Sequence, residues 1–171
     1  MPIRRLHPDD ADAFYVIRLE ALRNAPRAFG TSAMEQQARG VADVRARLLD
    51  PRFTAHGAFA TTEGGEGELL GVVGMRRSDR AKDRHVATLV SMYVVPSARA
   101  QHLGRQLVQA ALDALTGTGV LQVNLCVSAD NAPARRLYSA MGFEVWGVET
   151  RSLRVDGQDV DTEYRVRFLD R

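Results

Sequence analysis

Apolar residues recur along this chain in two rhythms, one of three to four residues and one of two, and together they predict the elements. Ile3 to Leu6 reads as a short strand, and His7-Pro8-Asp9-Asp10 then opens a helix with proline at its first position and acid in its first turn. Phe14, Ile17, Ala21 and Leu22 mark the apolar face of that helix as far as Ala25, where Pro26 stops it. Ser32-Ala33-Met34-Glu35 has the form of a capping box and opens a second, short helix, while Val44, Leu48 and Leu49 predict a further turn or two before Asp50-Pro51. Residues 53–61 and 68–77 read as strands joined by the glycine-rich hairpin Glu63-Gly64-Gly65-Glu66-Gly67.

Residues 85–95 are apolar at nearly every position, the mark of a central strand covered on both faces. Leu103, Leu107, Val108, Ala111, Leu112 and Leu115 form the next helix face, closed by Gly117 and Gly119. A strand over 120–127 follows, then a helix over 131–141 ended by Gly142, and finally strands 143–155 and 160–168 joined at Asp156-Gly157. The strand–helix–strand unit over 85–127 implies one parallel pair with a right-handed crossover, whereas the hairpins are antiparallel. The expected architecture is therefore an α/β (mixed α+β) fold on a mixed, mostly antiparallel sheet with flanking helices. At 171 residues one domain, 1–171, is the expected organisation.

Composition narrows the function. An apolar fraction of 45% with 26% charged residues suits a soluble globular protein, and no segment is long or apolar enough to span a bilayer. The first ten residues carry no apolar signal segment, so the cytoplasm is the expected compartment. Cys126 is the only cysteine, which excludes an internal disulfide and a thiolate metal cluster, and no metal is expected. A net charge of +2 with dispersed arginines gives no basis for a nucleic-acid partner.

The chemistry starts at residues 93–107, where an apolar strand meets Pro96 and a short basic loop, Arg99-Ala100-Gln101-His102, leads directly into the helix at Leu103-Gly104-Arg105. The first turn of a helix leaves N–H groups unpaired at the positive end of the macrodipole, so this loop is suited to a phosphate group. It is neither a Walker A loop nor a dinucleotide fingerprint, because the required lysine-serine ending and three spaced glycines are both missing.

A second segment, Asn131-Ala132-Pro133-Ala134-Arg135-Arg136-Leu137-Tyr138-Ser139-Ala140-Met141-Gly142-Phe143, joins a capping asparagine, a tyrosine on the inner helix face and a glycine exit. With both segments in this order the chain resembles the GNAT superfamily of N-acetyltransferases, most strongly over residues 85–142. The resemblance implies the GNAT fold, in which the fourth strand bulges and splays from the fifth to open a V-shaped cleft for acetyl-coenzyme A. It implies that backbone groups of Met92, Tyr93 and Val94 pair with the pantetheine arm. It implies further that residues Ala100, Gln101, His102, Leu103, Gly104 and Arg105 hold the pyrophosphate, with Arg99 matching the Gln or Arg that opens the family's loop. Asn131 would then hydrogen-bond the pantetheine end and Tyr138 would stand near the thioester sulfur. One departure is His102, which replaces the first glycine of that loop and would be strained if the backbone there took a positive φ.

Tyr138 fits the acid that protonates the leaving thiolate when an amine displaces it. The amine must itself lose a proton, which costs on the order of 4 kcal/mol at pH 7 for a lysine-like group. Family members often carry a glutamate on strand four or five, but those places here hold Val86 or His85, and Cys126. His85, an ordered water, Glu35 and Glu149 remain as routes for the proton, and Cys126 is expected as wall or core rather than as a nucleophile. Phe29, Glu35, Glu149, Asp159 and Asp161 are the candidates for receiving an amine cation. The expected activity is transfer of acetyl from acetyl-CoA to a primary amine of a small molecule, an amino-acid derivative or a protein or peptide terminus, by direct attack in a ternary complex. The alternative is a catalytically silent domain that binds CoA or acyl-CoA and regulates a partner, motivated by the missing carboxylate and by His102. Open sheet edges leave a homodimer as a candidate assembly.

Overall fold

A computed structural model describes residues 1–99 and 101–170 of the chain. Its seven strands are β1 (Ile3–Arg5), β2 (Phe53–Thr62), β3 (Gly65–Arg77), β4 (Val86–Val94), β5 (Gln122–Ser128), β6 (Glu144–Val155) and β7 (Gln158–Phe168). The helices are α1 (Ala11–Asn24), α2 (Ala33–Leu49), α3 (Leu103–Asp113) and α4 (Ala132–Ala140). The strands form one sheet in the order β1-β2-β3-β4-β5-β7-β6, antiparallel throughout except for β4 beside β5. This is the mixed sheet that the hydrophobic rhythm predicts.

One helix is divided where the sequence pattern divides it, and one strand starts earlier than that pattern indicates. α2 continues to Leu49 as one segment broken at Gly40, whose φ of 69° and ψ of −171° no helix accommodates. Gly40 therefore ends the short first stretch, and a second helical stretch resumes beyond it, as the capping box and the later Val44, Leu48 and Leu49 anticipate. The capping box forms as expected, with the Glu35 N–H donating to Ser32 Oγ at 3.2 Å and the Ser32 N–H donating to the Glu35 carboxylate at 2.7 Å. In the first hairpin, β3 starts at Gly65, because cross-strand pairing of Thr62 with Gly65 and Thr61 with Glu66 tightens the turn. That pairing overrides the low strand propensity of glycine.

The core is continuous from α1 through the sheet to α3. Phe14 of α1 stacks on Phe53 of β2 with ring centroids 6.5 Å apart, and Leu103, Leu107, Val108 and Ala111 bury the inner face of α3. Each leucine so buried contributes about 1.5–3 kcal/mol. Behind α4 a polar cluster does the fixing. Buried Arg165 on β7 donates to Glu163 Oε2 from Nε at 3.0 Å and from Nη2 at 2.6 Å, and to Ser139 Oγ from Nη1 at 2.7 Å. Arg135 reaches the other Glu163 oxygen at 2.6 Å, so α4 is tied to β7 by charge as well as by packing.

β4 is where the sheet opens. It pairs with β5 only from Val86 to Thr88, whereas β5 stays paired with β7 along its full length from Gln122 to Ser128. On its other side β4 carries a bulge: Val90 lies opposite Gly74 and Tyr93 opposite Val72, so Ser91 and Met92 together face Val73. Ser91 absorbs the extra residue in a left-handed conformation, φ 56°. The bulge bends β4 away from β5 and leaves the rest of its edge unpaired.

Candidate active site

The opening between β4 and β5 is the mouth of a cleft of about 1500 Å³, floored by β4 and walled by α3, α4, α1 and α2. A sheet edge without a partner strand is a row of unsatisfied N–H and C=O groups, and an extended amide-bearing ligand can complete it. Val95 N–H donates to the Leu70 carbonyl at 2.9 Å, so by the alternation of ladder hydrogen bonds the backbone groups of Tyr93 turn toward β3 and those of Val94 toward the open edge.

The residues anticipated for the cofactor therefore divide. Tyr93 backbone is committed to β3, opposite Val72, and the ring is buried with its hydroxyl donating to Glu20 Oε1 at 3.0 Å. The Val94 carbonyl faces the cleft but already accepts from Arg99 Nε at 3.1 Å. Arg99 thus fastens the loop to the strand, its guanidinium 5.7 Å from the Tyr93 ring centroid. Met92, half-buried in the bulge, lines the cleft beside Gly104.

At the head of α3 the first intrahelical bond runs from the Gln106 N–H to the His102 carbonyl at 3.1 Å, so the amides of the first turn point out of the helix end. His102, Leu103, Gly104 and Arg105 line the cleft there, joined by Arg99 and, from α4, Arg136. Gln101 is exposed just before the helix and Ala100 lies outside the described residues. His102 does take the left-handed conformation, φ 54° and ψ 15°, with its imidazole exposed. That conformation costs a non-glycine residue about 1 kcal/mol or more. Gly104 is required for a different reason. A Cβ there would stand 3.2 Å from the Met92 methyl and 3.3 Å from Leu137 Cδ2, so only a bare backbone lets the helix end sit this close to the strand.

Asn131 caps α4, its Oδ1 accepting the Ala134 N–H at 3.2 Å, which leaves the amide nitrogen for a ligand. One helical face further on, Tyr138 is buried, in edge contact with Phe143 at 5.9 Å, and reaches the cleft. Burial pushes its phenol above the usual range and the nearby Cys126 adds to the rise, while Arg165 opposes it. The hydroxyl is accordingly a proton carrier throughout the neutral range. Cys126 shares the wall, and desolvation there pushes its thiol up, the opposite of what activates a cysteine nucleophile.

The acids anticipated for the acceptor do not line the cleft. Glu35 is occupied by the capping box, and Glu149 accepts the Tyr164 hydroxyl at 2.5 Å. Asp159 pairs with Arg151 and Arg154, and Asp161 takes the Arg151 N–H at 2.8 Å. His85 stands exposed ahead of β4 and Val86 is inside the paired segment, so neither reaches the opening. Phe29 alone of that set is on the wall, under the guanidinium of Arg18 at 4.7 Å. Among the described residues the one carboxylate lining the cleft is Asp43 of α2.

The sequence pattern missed the polar side chains that surround Asp43: Arg18, Gln36, Arg39, Arg47 and Arg76. A signal was present. Arg18 lies one turn from Phe14 and Arg47 one turn from Val44, each a cation embedded in an otherwise apolar stripe.

The splayed parallel pair, the bulge and the helix end between them define an open cleft with an unpaired strand edge on one side and a helix N-terminus on the other. Residues 13–143 match the model of the acetyltransferase (GNAT) family, and the chain belongs to that family. It is 32% identical over 138 residues to a mycothiol acetyltransferase of Brachybacterium faecium, covering 81% of this chain and 39% of that protein. It is 34% identical over 145 residues to the mycothiol acetyltransferase of Actinosynnema mirum, covering 83% of this chain and 43% of that protein. The chain thus spans about two fifths of the length of these relatives. Among solved structures, a ribosomal-protein-alanine N-acetyltransferase of Brucella melitensis superposes with a TM-score of 0.80 at 22% identity, covering 99% of this chain and 100% of the other. Arabidopsis thaliana NAA60 in complex with acetyl-CoA does so with 0.77 at 20%, covering 99% of each chain. Both share the GNAT fold.

Proposed function

We propose that residues 1–171 form one acetyl-CoA-dependent N-acetyltransferase domain that acetylates a primary amine by direct attack. The observation that carries this is the cleft: an unpaired β4 edge, a helix end flanked by Arg99, Arg105 and Arg136, and a buried tyrosine hydroxyl all open into the same space. In this proposal the first turn of α3, from His102 to Arg105, receives the diphosphate through backbone N–H groups. Val94 and Met92 at the open edge and the free amide nitrogen of Asn131 hold the pantetheine. The acceptor nitrogen attacks the thioester carbonyl carbon, a C–N bond forms, and the C–S bond breaks as the tetrahedral intermediate collapses. Tyr138 gives its proton to the departing thiolate, and the proton of the amine passes to water or to Asp43. Cys126 contributes wall only.

No helix among the described residues is long and apolar enough to cross a membrane. We place the enzyme in the cytoplasm, with homodimer formation along the edge strand β6, where Val145, Trp146 and Val148 are exposed. Calorimetric titration with acetyl-CoA and detection of thiol release with a pool of amines test the proposal. Micromolar binding and acceptor-dependent release are expected. Absence of binding at high micromolar acetyl-CoA would refute the transferase assignment, and binding without release for any amine would favour a silent CoA-binding domain.

A further inference from the structure

Four arginines from three different elements converge on the wall of the cleft: Arg18 of α1, Arg39 and Arg47 of α2, and Arg76 of β3. They are separate from the cationic group at the head of α3. Arg76 lies opposite Thr88, where the β4–β5 pairing ends, six residues before the Val94 carbonyl that Arg99 binds. At strand rise that is roughly 20 Å along β4. The second group therefore extends from the apex of the V, at Arg76, to the bulge, at Arg47, while the first sits toward its open end.

The second group is short of anionic partners. None of these four arginines is in an ion pair with a carboxylate among the described residues, and Asp43 is the one acid on the wall. Arg18 is 8% exposed and its Nε has no hydrogen-bond partner. Gln36, 1% exposed, lines the same wall with Nε2 unpartnered, and Arg47 Nε is likewise unpartnered. Arg47 reaches the bulge, donating to Ser91 Oγ at 3.3 Å, so the cluster touches the turn where β4 bends. Aromatic faces hold the guanidinium planes, Phe29 under Arg18 and Phe53 under Arg47 at 4.7 Å each, without supplying an acceptor for their N–H groups. The charges also work against each other. Burial and the neighbouring Arg47 lower Arg18 to about 10, still protonated at neutral pH, with Asp43 opposing. Burying a charged donor without an acceptor is costly, and a fork of N–H groups fits an oxyanion.

We propose that this arginine-lined end of the cleft is an oxyanion receptor, and that the amine acetylated here carries a carboxylate or phosphate group. Asp43 supplies the complement for an ammonium, which makes an amino-acid-like acceptor the best match. The inference rests on the acetyltransferase assignment and narrows it, excluding polyamines and neutral amines as preferred acceptors.

The test starts with acetyl-CoA titration, which decides the parent assignment by itself. Thiol release is then compared across matched pairs: the common L-amino acids against their α-amides, and phosphoethanolamine against ethanolamine, with spermidine as the cationic control. The anionic member of at least one pair is expected to lead in kcat/KM by about 10- to 100-fold. The two kinds of pair tell a carboxylate receptor from a phosphate receptor. Arg47→Gln and the surface variant Arg76→Gln should each erode that ratio while leaving the KM for acetyl-CoA within about twofold; thermal melting confirms that they fold. If acetyl-CoA binds but amides, ethanolamine or spermidine are used as well as the anionic compounds, or if the preference survives both substitutions, this inference falls and the transferase assignment stands. If acetyl-CoA does not bind, both fall.

Discussion

Glu163→Gln isolates the polar cluster that holds α4 in place. The wild-type carboxylate is 6% exposed and accepts three charged contacts, two from Arg165 and one from Arg135, all between 2.6 and 3.0 Å. Glutamine keeps the shape but turns one of the two oxygens into a donor facing guanidinium donors, and it leaves Arg165, 3% exposed, without a counter-charge. Removing one partner of a buried pair costs about 3–5 kcal/mol. Arg165 retains Ser139 Oγ and Arg135 is half-exposed, which places the loss near the lower limit, about 3 kcal/mol. For a domain of this size each kcal/mol moves the midpoint by about 2–4 °C, so a fall of about 6–12 °C is expected by calorimetry or thermal fluorescence. The double variant Glu163→Leu, Arg165→Met removes both charges together and should recover most of the loss. The reasoning is wrong if Glu163→Gln melts within about 2 °C of wild type, a change under about 1 kcal/mol, or if the double variant is the less stable of the two.

Acid should find the same cluster. Burial raises the Glu163 carboxyl but the hydrogen bonds from Arg165 and Arg135 outweigh it, and the Arg4 hydrogen bond lowers Asp10, so both end below their ordinary values. Depressed carboxyls stabilise the fold fully above their unfolded values of about 4, and that stability drains away as pH falls further. Urea midpoints should hold from neutrality to about pH 5 and drop below about pH 4, less so in Glu163→Gln. Tyr138→Phe should lower kcat by about 100-fold or more and leave acetyl-CoA affinity nearly unchanged, as read by thiol release and calorimetry; equal losses in both would make the ring a packing element only. His102→Gly removes a left-handed histidine, and the relief of strain offsets the added chain entropy, so a midpoint equal to or above wild type is expected. Gly104→Val should weaken acetyl-CoA binding by at least about tenfold, because the new side chain pushes Met92 and Leu137 apart at the helix end.

The strands, the helices and the basic loop leading into the open head of α3 were legible because their signals are local. Asn131 before an apolar helical stripe reads as a cap, and the first turn of a helix leaves N–H groups unpaired whatever precedes it. The break in α2 was legible in the same way: a short capped helix and a further helical stretch marked by Val44, Leu48 and Leu49 are what the structure shows on the two sides of Gly40. The arginine-lined end could not be read from any window of sequence, since Arg18, Arg47 and Arg76 are brought together by three elements folding onto one wall. Glu35 and Glu149 illustrate the converse. Both are well placed along the chain, and both are taken up by near neighbours, Ser32 and Tyr164.

The bulge at Ser91 makes the cleft a matter of counting. Up to Val90 the strand keeps strict alternation with β3, and from Tyr93 onward it keeps it again, but with odd and even positions exchanged. Loss of one residue at this point would restore an unbroken ladder, with every following residue keeping its partner on β3 and its face of the sheet, and would offer the straightened edge back to β5. Descendants of this gene can therefore exchange side chains around the opening with some freedom, while a change in length by a single codon there is the lesion that closes it.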